Sequence, residues 1–574
     1  MIISSGRSKI RSTVIVLSTA ALAVAGAVTV LAGTPDARAD VGTFAFASNV
    51  EDEGADCPVP NPGSFSPSSR LPDPFRKIDG SRITTKADWR CRRAEIREQA
   101  ERYVYGDKPA KPATVTGTVS NSNITVNVSH NGRSSTFSAG VQLPTSGGSG
   151  PHPAVIVFGG FGADTSTIRS SGAAVISFDP FSVGQEGTGR SNKQGAFYSI
   201  YGSSSSTGLL MAWAWGVSRI IDVIQQSGGS ILRADIGVTG CSRYGKGAFV
   251  AGVFDQRVAL TMPIESGSGG APAFRSIAQE GGAQPLSSAY GEQPWLGDAF
   301  GSYTGNPAGL PVDTHEMVGM VAPRGLFIME NPHIDWLAAQ SGSVAALGGA
   351  EVYRALGAYE NITYWSAVSD GNHCAIRSEW RTPLQQHIQK YLLNTGSAAG
   401  TFRIASNKSG NLAQWRDWTT PTLADGPTTP PPTTPPPTTA PPTTPPPTTA
   451  PPTTAPPTTA PPTTPPPTTA PPTTPPPSGG CTASLSVNQW PGGFVVTVRV
   501  TAGSSPVSGW SVTMTLPGGA AVTNAWNASR SGNSGTVRFD NVSYNGNIGA
   551  GQSTEFGFQG TGTGTGMTPT CSAG

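Results

Sequence analysis

A serine flanked by glycines follows a short β-branched run near the middle of the chain. Ser242 lies in the turn Gly240-Cys-Ser-Arg-Tyr-Gly245, directly after Ile236-Gly-Val-Thr239. A strand, a tight turn carrying a serine and a following helix form a nucleophile elbow, which lifts the hydroxyl clear of the sheet and points amide N–H groups at it. The spacing is Gly-x-Ser-x-x-Gly where the usual hydrolase motif is Gly-x-Ser-x-Gly, and a glycine-rich turn is often only a turn. Ser242 is therefore a candidate nucleophile that needs support from the rest of the chain.

A nucleophilic serine needs a base, and in this architecture a histidine follows the serine in the chain. His373 comes just after the predicted strand Thr363–Val368, which is where a hydrolase carries its base. A loop histidine is commonly a surface residue, but the position after a strand favours His373 as the base. The other histidines precede Ser242 or lie in other loops and on the last helix: His130, His152, His315, His333 and His387.

Cysteines stand beside both candidate residues. Cys241 precedes Ser242, and Cys374 follows His373. A disulfide between them, with Cα atoms ~5.5 Å apart, would hold the nucleophile and the base within reach of each other. The alternative is a pair of unrelated buried thiols, which is less common in an exported chain.

The acid that would orient the histidine has three candidates, and each keeps the chain order serine, acid, histidine. Glu265 ends the predicted strand Val258–Ile264, whereas Glu330 and Asp335 flank the end of the next predicted strand, which is the commoner hydrolase position. A carboxylate at a strand end can also cap a helix or pair with an arginine. The residues alone leave the choice open.

Elements that could position these residues are predicted between residues 40 and 420, where apolar β-branched runs alternate with helical stretches. This pattern is typical of a mostly parallel sheet covered by helices on both faces, and it predicts an α/β fold. Together with the serine turn after a strand, it predicts an α/β hydrolase, an α/β sandwich. The alternation in Thr114–Leu143 predicts antiparallel strands that enter the sheet from one edge. The predicted strands are Ala154–Phe158, Ala173–Phe178, Ile236–Thr239, Val258–Ile264, Leu326–Glu330 and Thr363–Val368, and the predicted helices include Leu209–Gln226 and Pro383–Leu393.

The composition divides the chain into parts and argues against one class of partner. The 574 residues allow two to four domains, and 37 Lys and Arg against 35 Asp and Glu give a net charge of +2, which argues against a nucleic-acid binder. Residues 421–480 repeat Pro-Pro-Thr-Thr-Pro and Pro-Pro-Thr-Thr-Ala. Such a segment predicts an extended linker on the order of 150 Å long. It separates a domain at 40–420 from a smaller one at 481–574.

The start of the chain is typical of a secretory signal. Arg7, Lys9 and Arg11 precede the apolar run Val14–Ala32, and Ala37-Arg-Ala39 forms an A-x-A cleavage site. We expect residues 1–39 to be removed and the product to be secreted, extracellular and free of the membrane; a retained anchor is the alternative. Export would place the protein in an oxidising compartment. Because the chain has six cysteines, an even number, we expect them to form disulfides.

Several segments of the first domain are similar to one known family. Gly240-Cys-Ser-Arg-Tyr-Gly-Lys-Gly-Ala248 resembles the nucleophile signature of the glucuronoyl esterases, carbohydrate esterase family 15. The resemblance runs from about Cys57 to Asn394 and includes Tyr201-Gly-Ser, Met211–Arg219, Ala322–Gly325, Asp335–Leu337 and Asn372–Cys374, in that order. It implies a secreted carboxylic ester hydrolase of the 4-O-methyl-glucuronoyl methylesterase type, with a serine nucleophile. Its implied substrate is the ester between glucuronic acid of glucuronoxylan and lignin alcohols.

The same resemblance implies roles for individual residues. Glu265 would be the acid, Cys241 would be bridged to Cys374, and Cys57 to Cys91. Arg243 would stabilise the oxyanion, which its backbone N–H can also reach; a salt bridge to a loop carboxylate is the alternative. The positions that match sugar contacts are Lys246, Gln284, Glu292 and Trp336, which could otherwise be a solvated lysine, loop polar residues and a core aromatic.

The last domain, Cys481–Cys571, has few charges and strands with alternating apolar residues such as Phe494–Val500, which predict an all-β sandwich closed by its two cysteines. Asn488-Gln-Trp490, Gly509-Trp510, Asn524-Ala-Trp526 and Phe556–Gly560 resemble carbohydrate-binding module family 2. That family stacks three exposed aromatic residues on cellulose. Trp490 and Trp526 match two of them, Tyr544 matches the third, and Trp510 matches a core residue.

Two classes of function follow: a secreted esterase targeted to plant cell wall, or a wall-binding protein whose hydrolase-like domain is inactive. Within the enzyme class, an acetyl-xylan or feruloyl-type esterase is the alternative. We expect no cofactor and no metal, because histidines and carboxylates lack zinc-site spacing and a serine triad needs neither. The expected partners are glucuronoxylan–lignin esters and cellulose, without nucleic acid or membrane, and the protein is expected to be a monomer.

Overall fold

The computed structural model describes residues 50–61, 65–146, 148–397, 400–425, 480–490, 492–526, 528–542 and 545–574. The predicted leader, residues 1–39, and residues 426–479 of the predicted linker lie outside this part of the chain. Within the described part, no helix combines the length and the apolar character that crossing a bilayer would need.

The first domain is built on a ten-stranded sheet with the order β1-β2-β3-β5-β4-β6-β7-β8-β9-β10. The pairs that join β1, β2, β3 and β5 are antiparallel, and the pairs from β5 to β10 are parallel. This confirms the predicted α/β fold with antiparallel strands at one edge. The strands are β1 (Thr114–Val119), β2 (Asn123–His130), β3 (Arg133–Gln142), β4 (His152–Phe158), β5 (Ala174–Phe178), β6 (Leu232–Cys241), β7 (Val258–Ile264), β8 (Gly325–Met329), β9 (Ile362–Trp365) and β10 (Phe402–Arg403).

Helices cover both faces of this sheet, because β4, β7 and β8 are buried at every position and therefore bury both sides. In β4, Ile156 packs in the core that contains Leu210, whereas Val157 packs in the opposite core with Leu384. The α-helices of the described residues are α1 (Asp88–Ala100), α2 (Thr165–Ser170), α3 (Ala196–Tyr201), α4 (Leu209–Gln226), α5 (Arg243–Phe254), α6 (Phe274–Ile277), α7 (Leu286–Glu292), α8 (Thr314–Val321), α9 (Ala339–Ala355), α10 (Ser378–Tyr391) and α11 (Leu412–Trp415).

Most predicted elements have the predicted places, but several boundaries were wrong; β6, for example, starts at Leu232 and not at Ile236. Helix α4 has the predicted bounds. Helix α10 starts at Ser378, so Pro383 lies inside it; the helix continues because Trp380 and Leu384 are both buried against the sheet. Strand β9 ends at Trp365 because the next two amides both donate to the carbonyl of Arg403.

The packed chain of the first domain continues beyond residue 420. Trp418 Nε1 donates to the carbonyl of Leu71 at 3.0 Å, and the amide of Ala424 donates to the carbonyl of Thr84 at 3.0 Å. Leu423 is buried between these contacts. A truncation that preserves this domain therefore has to keep residues up to Asp425.

The last domain is an all-β sandwich, as predicted, with sheet orders β11-β12-β17-β14 and β15-β16-β13-β18. Every second residue of β12 from Phe494 to Val500 is fully buried, and Trp510 stacks on Phe556 with ring centroids 5.1 Å apart. Cys481 is bonded to Cys571. The strands are β11 (Cys481–Trp490), β12 (Gly493–Ala502), β13 (Trp510–Thr515), β14 (Ala521–Trp526), β15 (Ala528–Ser531), β16 (Thr536–Asn541), β17 (Ser553–Thr561) and β18 (Thr570–Ala573).

Candidate active site

Ser242 occupies a sharp turn between β6 and α5. Its backbone has φ 59° and ψ −128°, outside the helical region, and its amide donates to the carbonyl of Ile264 on the neighbouring strand at 2.9 Å. A Cβ on Gly240 would lie 2.7 Å from the carbonyl oxygen of Tyr244, and one on Gly245 would lie 2.5 Å from that of Ile264. The close approach of backbone segments therefore requires both glycines. The local geometry is that of the predicted elbow.

Tyr244 stands where the usual hydrolase motif has its second glycine, and its ring packs on a different glycine. A Cβ on Gly159, after β4, would lie 2.1 Å from that ring. The ring also meets Phe161 edge-on at 5.4 Å and Phe181 at 6.1 Å. The second glycine of the motif is thus shifted by one position, to Gly245. The ring of Tyr244, which takes its place, fits because Gly159 at the end of β4 has no side chain.

Glu265, the first residue after β7, contacts the candidate base. Its Oε2 accepts from His373 Nδ1 at 2.7 Å and from the amide of Cys374 at 2.8 Å. The residue is fully buried and has φ 46°. Two further donors reach its Oε1: Arg377 Nη2 at 3.2 Å and Asn331 Nδ2 at 3.4 Å.

The other two candidate acids come after the neighbouring strand, β8. Glu330 is buried, and this burial, followed by the nearby charge of Glu265, raises its pKa well above the usual range. Asp335 has an exposed side chain that pairs with Lys408 at 2.8 Å. Of the three carboxylates, Glu265 is the one that hydrogen-bonds His373.

A disulfide joins the elbow to the loop that carries the candidate base. Cys241 and Cys374 are bonded with a Cα–Cα distance of 5.8 Å, and Gly162 packs so closely against them that a Cβ there would lie 2.5 Å from that of Cys241. Cys57 and Cys91 are also bonded. The sulfur atoms lie within 4.8 Å of donor atoms of Glu265 and His373. Sulfurs shared in a disulfide offer no thiolate, so this group lacks the donor chemistry of a metal site.

We expect the double substitution Cys241→Ser and Cys374→Ser to lower turnover and thermal stability together. The bridge closes a long loop, and such a bridge stabilises a fold by ~2–4 kcal/mol while here fixing the base beside the nucleophile. Thermal melting and kcat on a soluble ester measure the two effects. The matched control is Cys481→Ser with Cys571→Ser, which should leave kcat unchanged. We use the term relay for the candidate set Ser242, His373 and Glu265. Wild-type kcat in the first double variant would show that the bridge does not position this relay.

Arg243 follows Ser242 and forms a salt bridge, the alternative considered from the sequence. Its Nη1 donates to Glu186 Oε2 at 2.6 Å, and Glu186 Oε1 also accepts from Trp295 Nε1. The side chain of Glu186 is only 6% exposed, and this burial is the main cause that raises its pKa. The carboxylate holds the guanidinium beside the elbow. Sequence reasoning missed Glu186, because it lies in an irregular loop 57 residues before its partner.

Of the four predicted sugar contacts, Lys246 lies on α5 and Trp336 lies against His373. Lys246 is buried with its Nζ 5.1 Å from the Trp295 ring centroid, and burial lowers its pKa to about 8. The side-chain Nε2 of Gln284 donates to Glu292 Oε2 at 2.9 Å, and the backbone N–H of Gln284 donates to the carbonyl of Trp336. The ring of Trp336 meets His373 edge-on at 4.9 Å. Polar and aromatic groups thus line one side of the relay.

The predicted cellulose contacts lie only partly within the described residues. Trp490 is the last residue of β11 and Trp526 is the last residue of β14, and both strands belong to the same sheet. Tyr544 lies outside the described residues.

Comparisons with known proteins agree with this geometry. Residues 126–357 match the family model of fungal glucuronyl esterase, and residues 481–573 match that of the cellulose binding domain. The chain is 39% identical over 378 residues to the 4-O-methyl-glucuronoyl methylesterase of Hypocrea jecorina, covering 65% of this chain and 80% of that protein. It is 40% identical over 381 residues to the enzyme of the same name from Podospora anserina, covering 64% of this chain and 78% of that protein.

Solved structures extend the likeness to the fold. The glucuronoyl esterase catalytic domain from Hypocrea jecorina is matched over all of its length and 64% of this chain, with 38% identity and a TM-score of 0.60. A serine-to-alanine mutant of the Sporotrichum thermophile enzyme, solved with methyl 4-O-methyl-beta-D-glucopyranuronate, is matched with 36% identity, the same coverage and a TM-score of 0.60. The elbow, the carboxylate-bound histidine and these relationships together show that the chain belongs to the glucuronoyl esterase family of carboxylic ester hydrolases and carries a cellulose-binding module of family 2 at its C-terminal end.

Proposed function

We propose that the first domain is a serine esterase that hydrolyses the ester between (4-O-methyl-)glucuronic acid of glucuronoxylan and an alcohol of lignin. The observation that carries this proposal is the 2.7 Å contact between His373 Nδ1 and Glu265, at the strand end beside the Ser242 elbow. The names of the relatives support the uronate part of the substrate. A soluble aryl ester of glucuronic acid is the direct test substrate. Acetylated xylan is the comparison substrate, which tests the alternative of an acetyl-xylan esterase.

The chemistry proceeds in two acyl-transfer steps. His373 Nε2 takes the proton of the Ser242 hydroxyl as its oxygen attacks the ester carbonyl, because Nδ1 is bonded to Glu265. Collapse of the tetrahedral intermediate releases the alcohol, which receives that proton, and leaves glucuronate esterified to Ser242. Water then attacks this acyl-enzyme with His373 again as base, which frees the uronic acid and regenerates the serine.

Arg243 is proposed to stabilise the oxyanion of both tetrahedral intermediates. Its backbone N–H lies at the start of α5, next to the nucleophile, and its guanidinium is held by Glu186 at 2.6 Å. A single preorganised donor of this kind typically contributes ~3 kcal/mol of transition-state stabilisation. The salt bridge to Glu186 therefore complements the proposed role, because it limits the orientations that the guanidinium can adopt.

Four side chains are proposed to bind the glucuronate ring beside the relay. Lys246, charged below its pKa of about 8, can donate to sugar hydroxyls. Gln284 and Glu292, joined at 2.9 Å, can donate to and accept from neighbouring hydroxyls, and Trp336 offers an aromatic surface next to His373. A hydroxyl-rich uronate uses these groups, whereas an acetyl group has no hydroxyl to engage them.

The last domain is proposed to bind cellulose through Trp490, Trp526 and Tyr544 and to act independently of the esterase. We propose that the domain predicted at 40–420, whose packed chain extends to residue 425, is joined to the domain at 481–574 by the rest of the predicted linker, with a leader at 1–39 that directs secretion and a monomeric product. The three disulfides are consistent with an extracellular protein. Every proposed catalytic residue precedes the linker, so no chemistry crosses it.

Truncation after Asp425 should leave turnover on a soluble glucuronate ester unchanged and should abolish adsorption to cellulose. In the full chain, Trp490→Ala or Trp526→Ala should each weaken adsorption about tenfold or more, since stacking contributes ~1–3 kcal/mol per aromatic in comparable cases. Depletion assays on crystalline cellulose measure this. Cellulose binding by the truncated enzyme as tight as that of the full chain, or loss of its activity on the soluble ester, would contradict independent domains.

A further inference from the structure

A buried arginine that the mechanism above does not use lies under the loop that carries His373. Arg377 is the residue before α10, and only 1% of its side chain is exposed. Its Nη2 donates to Glu265 Oε1 at 3.2 Å and to the carbonyl of Asn372 at 2.7 Å. Its Nη1 lies 2.9 Å from Asp370 Oδ2. One guanidinium thus contacts the acid of the relay and two residues of the loop.

The charges around Glu265 explain why a cation is needed there. Glu265 is fully buried beside a second buried carboxyl group, that of Glu330. Burying an ionised carboxylate without a partner is strongly unfavourable. The other groups that contact Glu265 are neutral or titrate in catalysis: Asn331, the Cys374 amide and His373. Arg377 supplies the permanent positive charge in direct contact with Glu265.

The same contacts fix the geometry of the base. Arg377 Nη2 bonds to the carbonyl of Asn372, immediately before His373, while the Cys374 disulfide anchors the residue immediately after it. Asp370 holds the other end of the guanidinium, and its pKa lies below the usual range because of the Asn372 amide and, second, the Arg377 side chain. The histidine is therefore held on both sides, by the arginine and by the disulfide.

We propose that Arg377 is a positioning residue of the relay, which pairs with the buried Glu265 and fixes the His373 loop against it. This inference rests on the proposed function, because it acts through the Ser242 nucleophile and the His373 base. The planar guanidinium group of arginine can donate to a carboxylate and to a carbonyl at the same time. A lysine ammonium cannot span the same two partners in one orientation.

The test compares Arg377→Gln and Arg377→Lys on a soluble glucuronate ester across pH. In R377Q we expect kcat to fall about tenfold to a hundredfold with KM within about twofold, because the relay is misplaced while the sugar contacts remain. The acid limb, the low-pH side of the profile of kcat/KM against pH, should move to higher pH by about one unit. The reason is that losing the cation favours protonation of the relay. R377K, which keeps the charge, should lower kcat while leaving the acid limb near that of the wild type.

The matched control is Arg257→Gln. Arg257 is also a buried arginine, paired with Asp222 at 2.7 Å, but it precedes β7 at the amino end, opposite Glu265. R257Q should lower the melting temperature without moving kcat or the acid limb. An R377Q variant that melts lower but keeps wild-type kcat and acid limb would overturn the proposal, and if R377Q does not fold, wild-type kcat in R377K would overturn it. A Ser242→Ala enzyme that still turns over would instead overturn the proposed function itself.

Discussion

Replacing Ser242 by alanine should abolish esterase activity while leaving both domains folded. The hydroxyl is the group that becomes acylated, and no neighbouring group can take its place at the tip of the turn. Loss of a nucleophile in a serine relay typically lowers kcat by ~10⁴-fold or more. The backbone conformation of the turn, with φ 59°, is as accessible to alanine as to serine, so the fold should be retained.

The measurement is kcat on a soluble glucuronate ester, with melting temperature and cellulose adsorption as controls for folding. Ser369→Ala is a matched control, because Ser369 lies in the His373 loop and donates to the exposed Glu379 at 2.8 Å without contacting the relay. It should retain wild-type kcat. Substantial turnover by a pure, folded S242A preparation would overturn the nucleophile assignment.

Replacing Glu265 by glutamine should depress turnover far more than the same change at Glu330. Glutamine at 265 leaves His373 without the carboxylate that fixes its tautomer and stabilises its cation, which in a comparable relay lowers kcat by ~10⁴-fold. Glu330 is buried but does not hydrogen-bond His373, whose Nδ1 is bonded to Glu265, so an amide of similar size at position 330 leaves that contact in place. We expect less than a tenfold effect in Glu330→Gln, from altered packing.

The two variants are matched in chemistry, burial and strand-end position. The ratio of their kcat values therefore reports which carboxylate works with His373. Single-turnover kinetics with the soluble ester would separate acylation from substrate binding. A larger loss in E330Q than in E265Q would show that the commoner hydrolase position, after β8, supplies the acid in this chain.

The elements and the chain order of the candidate residues are readable from the sequence, because both follow from local patterns. The β-branched runs predict the central strands, and Leu209–Gln226 has the composition of a buried helix. Ser242 and His373 each follow a predicted strand, and parallel strands end at the same edge of a sheet. The order of strands across that sheet still had to come from the structure.

The choice among Glu265, Glu330 and Asp335 could not be made from local pattern. It depends on contacts between residues far apart in the chain, such as the 2.7 Å bond from Glu265 to a histidine 108 positions later. Glu186 and Arg377 escaped notice for the same reason, since a loop glutamate and an arginine before a helix are ordinary residues until their partners are known. Arg377 follows His373 by four positions, which was the one available signal.

The most direct test of the central claim is the specificity of the purified protein. Hydrolysis rates of an aryl or alkyl glucuronate ester and of acetylated xylan should be measured side by side, with the S242A variant as background. The account predicts turnover of the glucuronate ester at a kcat/KM well above that on acetylated xylan, and none above background in S242A. Preferential release of acetate from xylan, or no hydrolysis of any glucuronate ester by the folded enzyme, would contradict it.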